Sequence, residues 1–137
     1  MVNIYGHEIA HVIRERIKEI RECPELKLDL LYDIGAILIS IGYVKDVPTL
    51  TTLGKNLFNL PERLRYWIIG RISALGTTEK IQKIFSHTEK LLGELCNSLE
   101  EVARIIEEKD QIADNDFVKA LKIVDRIITI LPLPGRK

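Results

Sequence analysis

From His7 to Leu131 the apolar residues of this chain recur mostly every three or four positions, and alternation every second position goes no further than the short run Leu26-Lys27-Leu28-Asp29-Leu30. Steps of three and four keep side chains on one face of a helix with 3.6 residues per turn, whereas a half-buried strand needs period two. No Asn-Gly or Asp-Gly pair offers a hairpin turn. The pattern predicts an all-α fold, a single-domain bundle of six or seven helices over residues 1–131, with 132–137 as a C-terminal tail. A chain of 137 residues fits one domain and hides roughly two thirds of its unfolded surface on folding.

The first helix runs from about His7 to Glu22, with Ile9, Val12, Ile13, Ile17 and Ile20 on one stripe. Cys23-Pro24 ends it, because proline disfavours helix at the residue before it, and Pro24 suits the first turn of a second helix. That helix carries Leu30, Leu31, Ile34, Ile37, Leu38 and Ile41 and stops at Gly42. Its second half is apolar almost all round, which predicts a place at the centre of the bundle. Tyr43 to Thr49 reads as a loop and Leu50 to Phe58 as a short helix. Asn59-Leu60-Pro61-Glu62 is a fresh start for a helix that turns Leu64, Trp67, Ile68, Ile72 and Leu75 inward and stops at Gly76. Thr77 caps the next, where Ile81, Ile84, Thr88, Leu91 and Leu95 form a bundle seam. Ser98-Leu99-Glu100-Glu101 reads as a capping box that restarts the helix. The competing reading is one helix running on to Lys109 with Ser98 exposed. Asp114-Asn115-Asp116 opens the last helix, with Phe117, Leu121, Val124, Ile128 and Leu131 inward until Pro132.

Several classes of protein fit this chain badly. Cys23 and Cys96 are far apart and form no CxxC, so two reduced, mostly buried thiols are expected rather than a disulfide scaffold. The most apolar stretch, Ile34 to Val44, is too short for a bilayer, which needs about 20 residues. The opening residues lack a basic start followed by an apolar run, so a cytoplasmic location is expected. The abundance of Glu, Lys, Ile and Leu resembles a thermophile's composition. Net charge is zero, but from Lys55 to Lys90 seven bases oppose three acids, a net +4, and from Glu94 to Asp116 two bases oppose eight acids, a net −6. Such a molecule can stack basic face on acidic face, or lay its basic face on phosphates.

His7-Glu8-Ile9-Ala10-His11 is H-E-x-x-H, and it resembles the zincin peptidases over about seven residues. Residues four apart share a helix face, so His7 and His11 can reach one zinc while Glu8 activates its water as general base. The resemblance implies a zinc hydrolase as the alternative reading. No third ligand is singled out: Arg14 and Ile17 occupy the places where the longer motif has glycine and histidine, and His87 is the remaining histidine. The face that bears the histidines also carries Arg14, Lys18 and Arg21, whose charge opposes a cation. The same stripe suits phosphate contact, or ordinary ion pairs with Glu15 and Glu22 on its own helix. Trp67 and Tyr66, beside Arg63, Arg65 and Arg71, could stack bases, although Trp67 falls on the apolar stripe. No glycine-rich phosphate loop, Ser/His/Asp order or activated cysteine stands out. The Leu-Pro-Leu-Pro tail reads as a frayed terminus, or as a segment for a partner's groove.

Arg71-Ile72-Ser73-Ala74-Leu75-Gly76-Thr77-Thr78-Glu79, followed by Ile81, Ile84 and Phe85, resembles a segment of the small α-helical subunits of archaeal type I-A CRISPR interference (Cascade) complexes. The resemblance implies a non-catalytic subunit, without cofactor, that stacks in several copies and supports RNA or single-stranded DNA. The chain is therefore expected to be a helical interaction module in a larger assembly, with protein partners or self-association. Its basic surface would come from Arg14, Lys18, Arg21, Arg63, Arg65, Arg71, Lys80 and Lys83.

Overall fold

A computed structural model describes residues 4–23, 27–75 and 78–130, with side chains at 6–23, 27–67, 86–87 and 89–129. Its described residues are mostly helical, and no strand occurs among them. They form five α-helices: α1 (Ile4–Glu22), α2 (Leu30–Lys45), α3 (Pro48–Leu75), α4 (Thr78–Glu108) and α5 (Val118–Ile130), the last entered through a 3₁₀ turn at Asp114–Phe117. Helices expected as six or seven are fewer because two expected breaks are absent. α3 runs straight through Pro61, and α4 runs straight through Ser98.

Both continuities have physical reasons. Leu50, Leu53, Leu57, Leu60, Leu64 and Trp67 form one buried stripe across Pro61. Proline inside a helix costs about 3 kcal/mol, while each buried leucine contributes about 1.5–3 kcal/mol. Keeping the stripe in register therefore outweighs the proline. Ser98 is buried, not exposed, and its hydroxyl donates to Glu94 O at 3.1 Å. A serine satisfied by the carbonyl one turn back has no need to cap a new helix.

Gly42 does not end α2. The helix continues to Lys45 and stops at Asp46, which takes the left-handed conformation (φ 55°) and returns its N–H to Gly42 O. Gly42 serves packing instead: a Cβ there would lie 2.7 Å from Thr51 N of α3. Two turns earlier, a Cβ on Gly35 would lie 2.7 Å from Gly54 O, and one on Gly54 would lie 2.6 Å from Gly35 O. α2 and α3 thus cross backbone against backbone at these three glycines. The expected loop from Tyr43 to Thr49 shrinks to Asp46 and Val47, and Pro48 takes the first position of α3. Far along the chain, Asp114 caps the start of α3: its Oδ1 accepts from Thr49 N at 3.0 Å and from Thr49 Oγ1 at 2.5 Å.

The core runs between the helices, through Ile13, Ile17, Leu38, Leu57, Leu99 and Phe117 among others. The expected helix start at Pro24, the Gly76-Thr77 break and the tail from Pro132 lie outside the described residues. So do the side chains of Ile68, Ile72, Leu75, Ile81, Ile84 and Thr88. No helix among the described residues is long and apolar enough to cross a membrane.

Candidate interaction surface

Every seventh residue of α1 from His7 onward faces α4: His7, Arg14 and Arg21. Seven residues are close to two helical turns, so these side chains stack along one edge. α4 answers with the same spacing in reverse, Glu107 and Glu100. Arg14 makes two bonds to Glu107, Nη1 to Oε2 at 2.8 Å and Nη2 to Oε1 at 3.1 Å. His7 Nδ1 lies 2.8 Å from the same carboxylate. Arg21 Nη2 lies 3.3 Å from Glu100 Oε1 and donates to Asn97 Oδ1 at 2.7 Å. The bond from Arg14 holds the Glu107 carboxyl below its ordinary range, and Glu107 in turn raises the Arg14 guanidinium. Half-exposed pairs of this kind add little net stability because water screens them. Their effect is to fix the antiparallel register of α1 on α4.

Of the eight basic residues expected to form one surface, five have described side chains, and these are spread over α1 and α3. Arg14 and Arg21 are held by acids of α4, while Lys18 is exposed on α1. On α3, Arg63 donates to Ile128 O of α5 at 3.3 Å, and Arg65 pairs with Asp29 at 2.6 Å. The side chains of Arg71, Lys80 and Lys83 lie outside the described residues. The ion pairs expected for Lys18 within its own helix give way to pairs between helices, made by its neighbours.

The H-E-x-x-H segment lies on the same helix. His7, Glu8 and His11 are all exposed, and His7 is turned onto Glu107. Among the described residues no cluster of three or more His, Cys, Asp or Glu side chains is placed to hold a metal ion. Trp67 is core, its ring 5.8 Å from that of His87, while Tyr66 is exposed. Cys96 is buried as a free thiol, and Cys23 is half-buried. Burial pushes the Cys96 thiol up to about 11, so it stays protonated at neutral pH and is a poor nucleophile.

The surface that sequence reasoning missed is the outside of α2. This helix was expected at the centre of the bundle, yet it lies at the edge, packed on α1 and α3. Leu31, Ile34, Gly35, Leu38, Ile41 and Gly42 face inward. Ala36, Ser40, Tyr43 and Val44 face outward, and no described residue covers them: Tyr43 is 72% exposed and Val44 82%. Between Asp33 and Lys45 this face carries no charge. Ser40 donates its hydroxyl back to Ala36 O at 2.9 Å, so it adds little polarity. Beside Val44 the surface dips into a mainly apolar pocket of about 340 Å³, walled by Ile9 of α1, Ile41 and Val44 of α2, Ile106 of α4, and Ile112, with Lys45, Lys109 and Asp110 also on its lining. Val12 of α1 is 37% exposed. The missed signal was the eleven uncharged residues from Ile34 to Val44, which say that a helix is apolar all round but not what covers its second side.

Comparison with protein families, with curated proteins and with solved structures finds no match for this chain.

Proposed function

We propose that this protein is a non-catalytic helical interaction module, and that it works through the outer face of α2 inside a larger assembly. One observation carries the reading. A helix apolar all round is normally buried on all sides, and here no described residue covers the side with Tyr43 and Val44, in a chain with 29% charged residues. Exposed aromatic and aliphatic groups next to a pocket are the usual anchors of a protein–protein contact.

A small subunit of a CRISPR effector complex is one assembly of that kind. Support for it comes from the segment Arg71–Glu79 alone. Support of RNA or single-stranded DNA in such an assembly would fall first to Lys18 on α1. Arg14 and Arg21 would have to exchange Glu107 and Glu100 for phosphates, so contact through α1 would be weak and lost with salt.

The test is a photo-crosslinking amino acid placed at position 43 in the full chain, expressed in cells, with the exposed position 122 on α5 as control. The reading predicts a discrete protein adduct from 43 and none from 122. Equal labelling at both sites, or none at 43, would contradict it.

A further inference from the structure

We infer that the partner seated on α2 is a second copy of this chain, related by a two-fold axis that runs along α2, so that Tyr43 of each copy enters the apolar pocket of the other. The inference rests on the interaction reading above and adds the identity of the partner.

A knob and a hole lie at the same height on opposite sides of α2. Ile39 meets Gly54 of α3, and Tyr43, one turn further on, stands on that same side. The pocket opens on the other side, where Ile9 of α1 joins Ser40 and Val44. Both sit at the C-terminal end of α2. Rotation by 180° about an axis along α2 exchanges the two sides without changing height, and therefore lays each Tyr43 over the partner's pocket. A foreign partner would need to supply its own knob and its own hole at the same separation; this chain holds both. Between them, outward Ala36 and Ser40 are small, which lets two α2 helices approach to the 8–10 Å typical of packed pairs. A two-fold contact of this kind uses the same patch on both copies and closes on itself.

Charge selects the same axis. Arg16 pairs with Asp33, so Glu15 beside it lies level with the N-terminal half of α2 on the α1 side. Gly54 meets Gly35, so Lys55 lies close to that level on the α3 side. Both are exposed. The axis along α2 puts α1 of one copy over α3 of the other and brings Glu15 toward Lys55. An axis across α2 would instead put α1 over α1, with Glu8 and Glu15 against the same acids of the other copy. Like charges across an interface disfavour that arrangement.

The experiment is sedimentation equilibrium of the full chain from about 1 µM to about 1 mM. The expected result is a monomer–dimer equilibrium that stops at the dimer. Tyr43→Glu is expected to stay monomeric throughout, with unchanged helical circular dichroism. Lys55→Glu is expected to weaken the dimer roughly tenfold, and adding Glu15→Lys to the same chain is expected to restore it. That rescue is specific to the proposed geometry, because Glu15 and Lys55 of one chain are separated by α2. A wild-type monomer over the whole range, growth beyond the dimer, a dimeric Tyr43→Glu chain or failure of the double variant to recover would each overturn the inference. A monomeric wild type that still gives an adduct from position 43 with another protein would overturn the second copy and leave the interaction module standing. A monomer without any adduct would overturn both.

Discussion

α1 and α2 lie side by side and present opposite kinds of surface. The polar edge of α1 carries His7, Arg14 and Arg21, the residues that looked ready for metal or phosphate, and they are engaged by Glu107 and Glu100 of the same chain. The outer face of α2 carries Ala36, Ser40, Tyr43 and Val44, which looked like interior, and it stands open. Charge in a sequence marks a need for a counter-charge, and that need can be met internally. An apolar face can be satisfied only by being covered, so an uncovered one is the stronger pointer to a partner.

The largest effect is expected where α2 meets α3. Gly54→Val would drive side-chain atoms into Gly35 O and the Ile39 backbone, which cannot give way without parting the helices. Urea unfolding should show a loss of about 3 kcal/mol. Tyr43→Glu, on the other side of α2, should stay within about 0.5 kcal/mol of wild type when measured in dilute solution. Comparable losses at both positions would mean that the outer face is structural and not a free surface.

The ladder between α1 and α4 should show a smaller, pH-dependent effect. The folded-state carboxyl of Glu107 titrates below its ordinary value of 4.5, because Arg14 donates to it. Its contribution to stability is therefore present above about pH 4.5 and lost as the pH falls through the lowered folded value. Arg14→Ala should lower the melting temperature at pH 7, by less than Gly54→Val does, and the gap to wild type should narrow at about pH 3. A gap that does not change with pH would remove the ionic pair as its cause.

The smallest effect is expected at the metal motif. Glu8→Gln should leave folding and stability unchanged, and protein purified without chelator or tag metal should carry zinc well below one per chain. One zinc held per chain would contradict the view that the α1 edge is satisfied from within, since two exposed histidines do not retain the ion.

Much of the fold was legible because helical periodicity survives any arrangement of neighbours. α1, the Asp114 entry to α5 and the inward Phe117 and Val124 follow from spacing alone. The breaks at Pro61 and Ser98 and the stop at Gly42 were misread because proline, serine and glycine carry local signals that tertiary contact overrides. Pro61 is held by the leucine stripe, Ser98 bonds back to Glu94, and Gly42 makes room for Thr51. The surface was less legible. That the acidic stretch of α4 would meet α1 depends on which helices pack together, and no described side chain of the more basic segment from Lys55 to Lys90 takes part in that ladder. The uncharged run from Ile34 to Val44 was visible, but only the positions of α1 and α3 reveal that Ala36, Ser40, Tyr43 and Val44 face outward.

The most direct test of the account is hydroxyl-radical footprinting of Tyr43 and Tyr66, in dilute purified protein and in the cells that make it. The two tyrosines serve as probe and control, since both are exposed in the single chain, at 72% and 51%. The account predicts that both react in dilute solution, and that in cells Tyr43 becomes protected while Tyr66 remains reactive. If Tyr43 reacts in cells as readily as in dilute solution, the outer face of α2 is not a contact surface and the central claim fails.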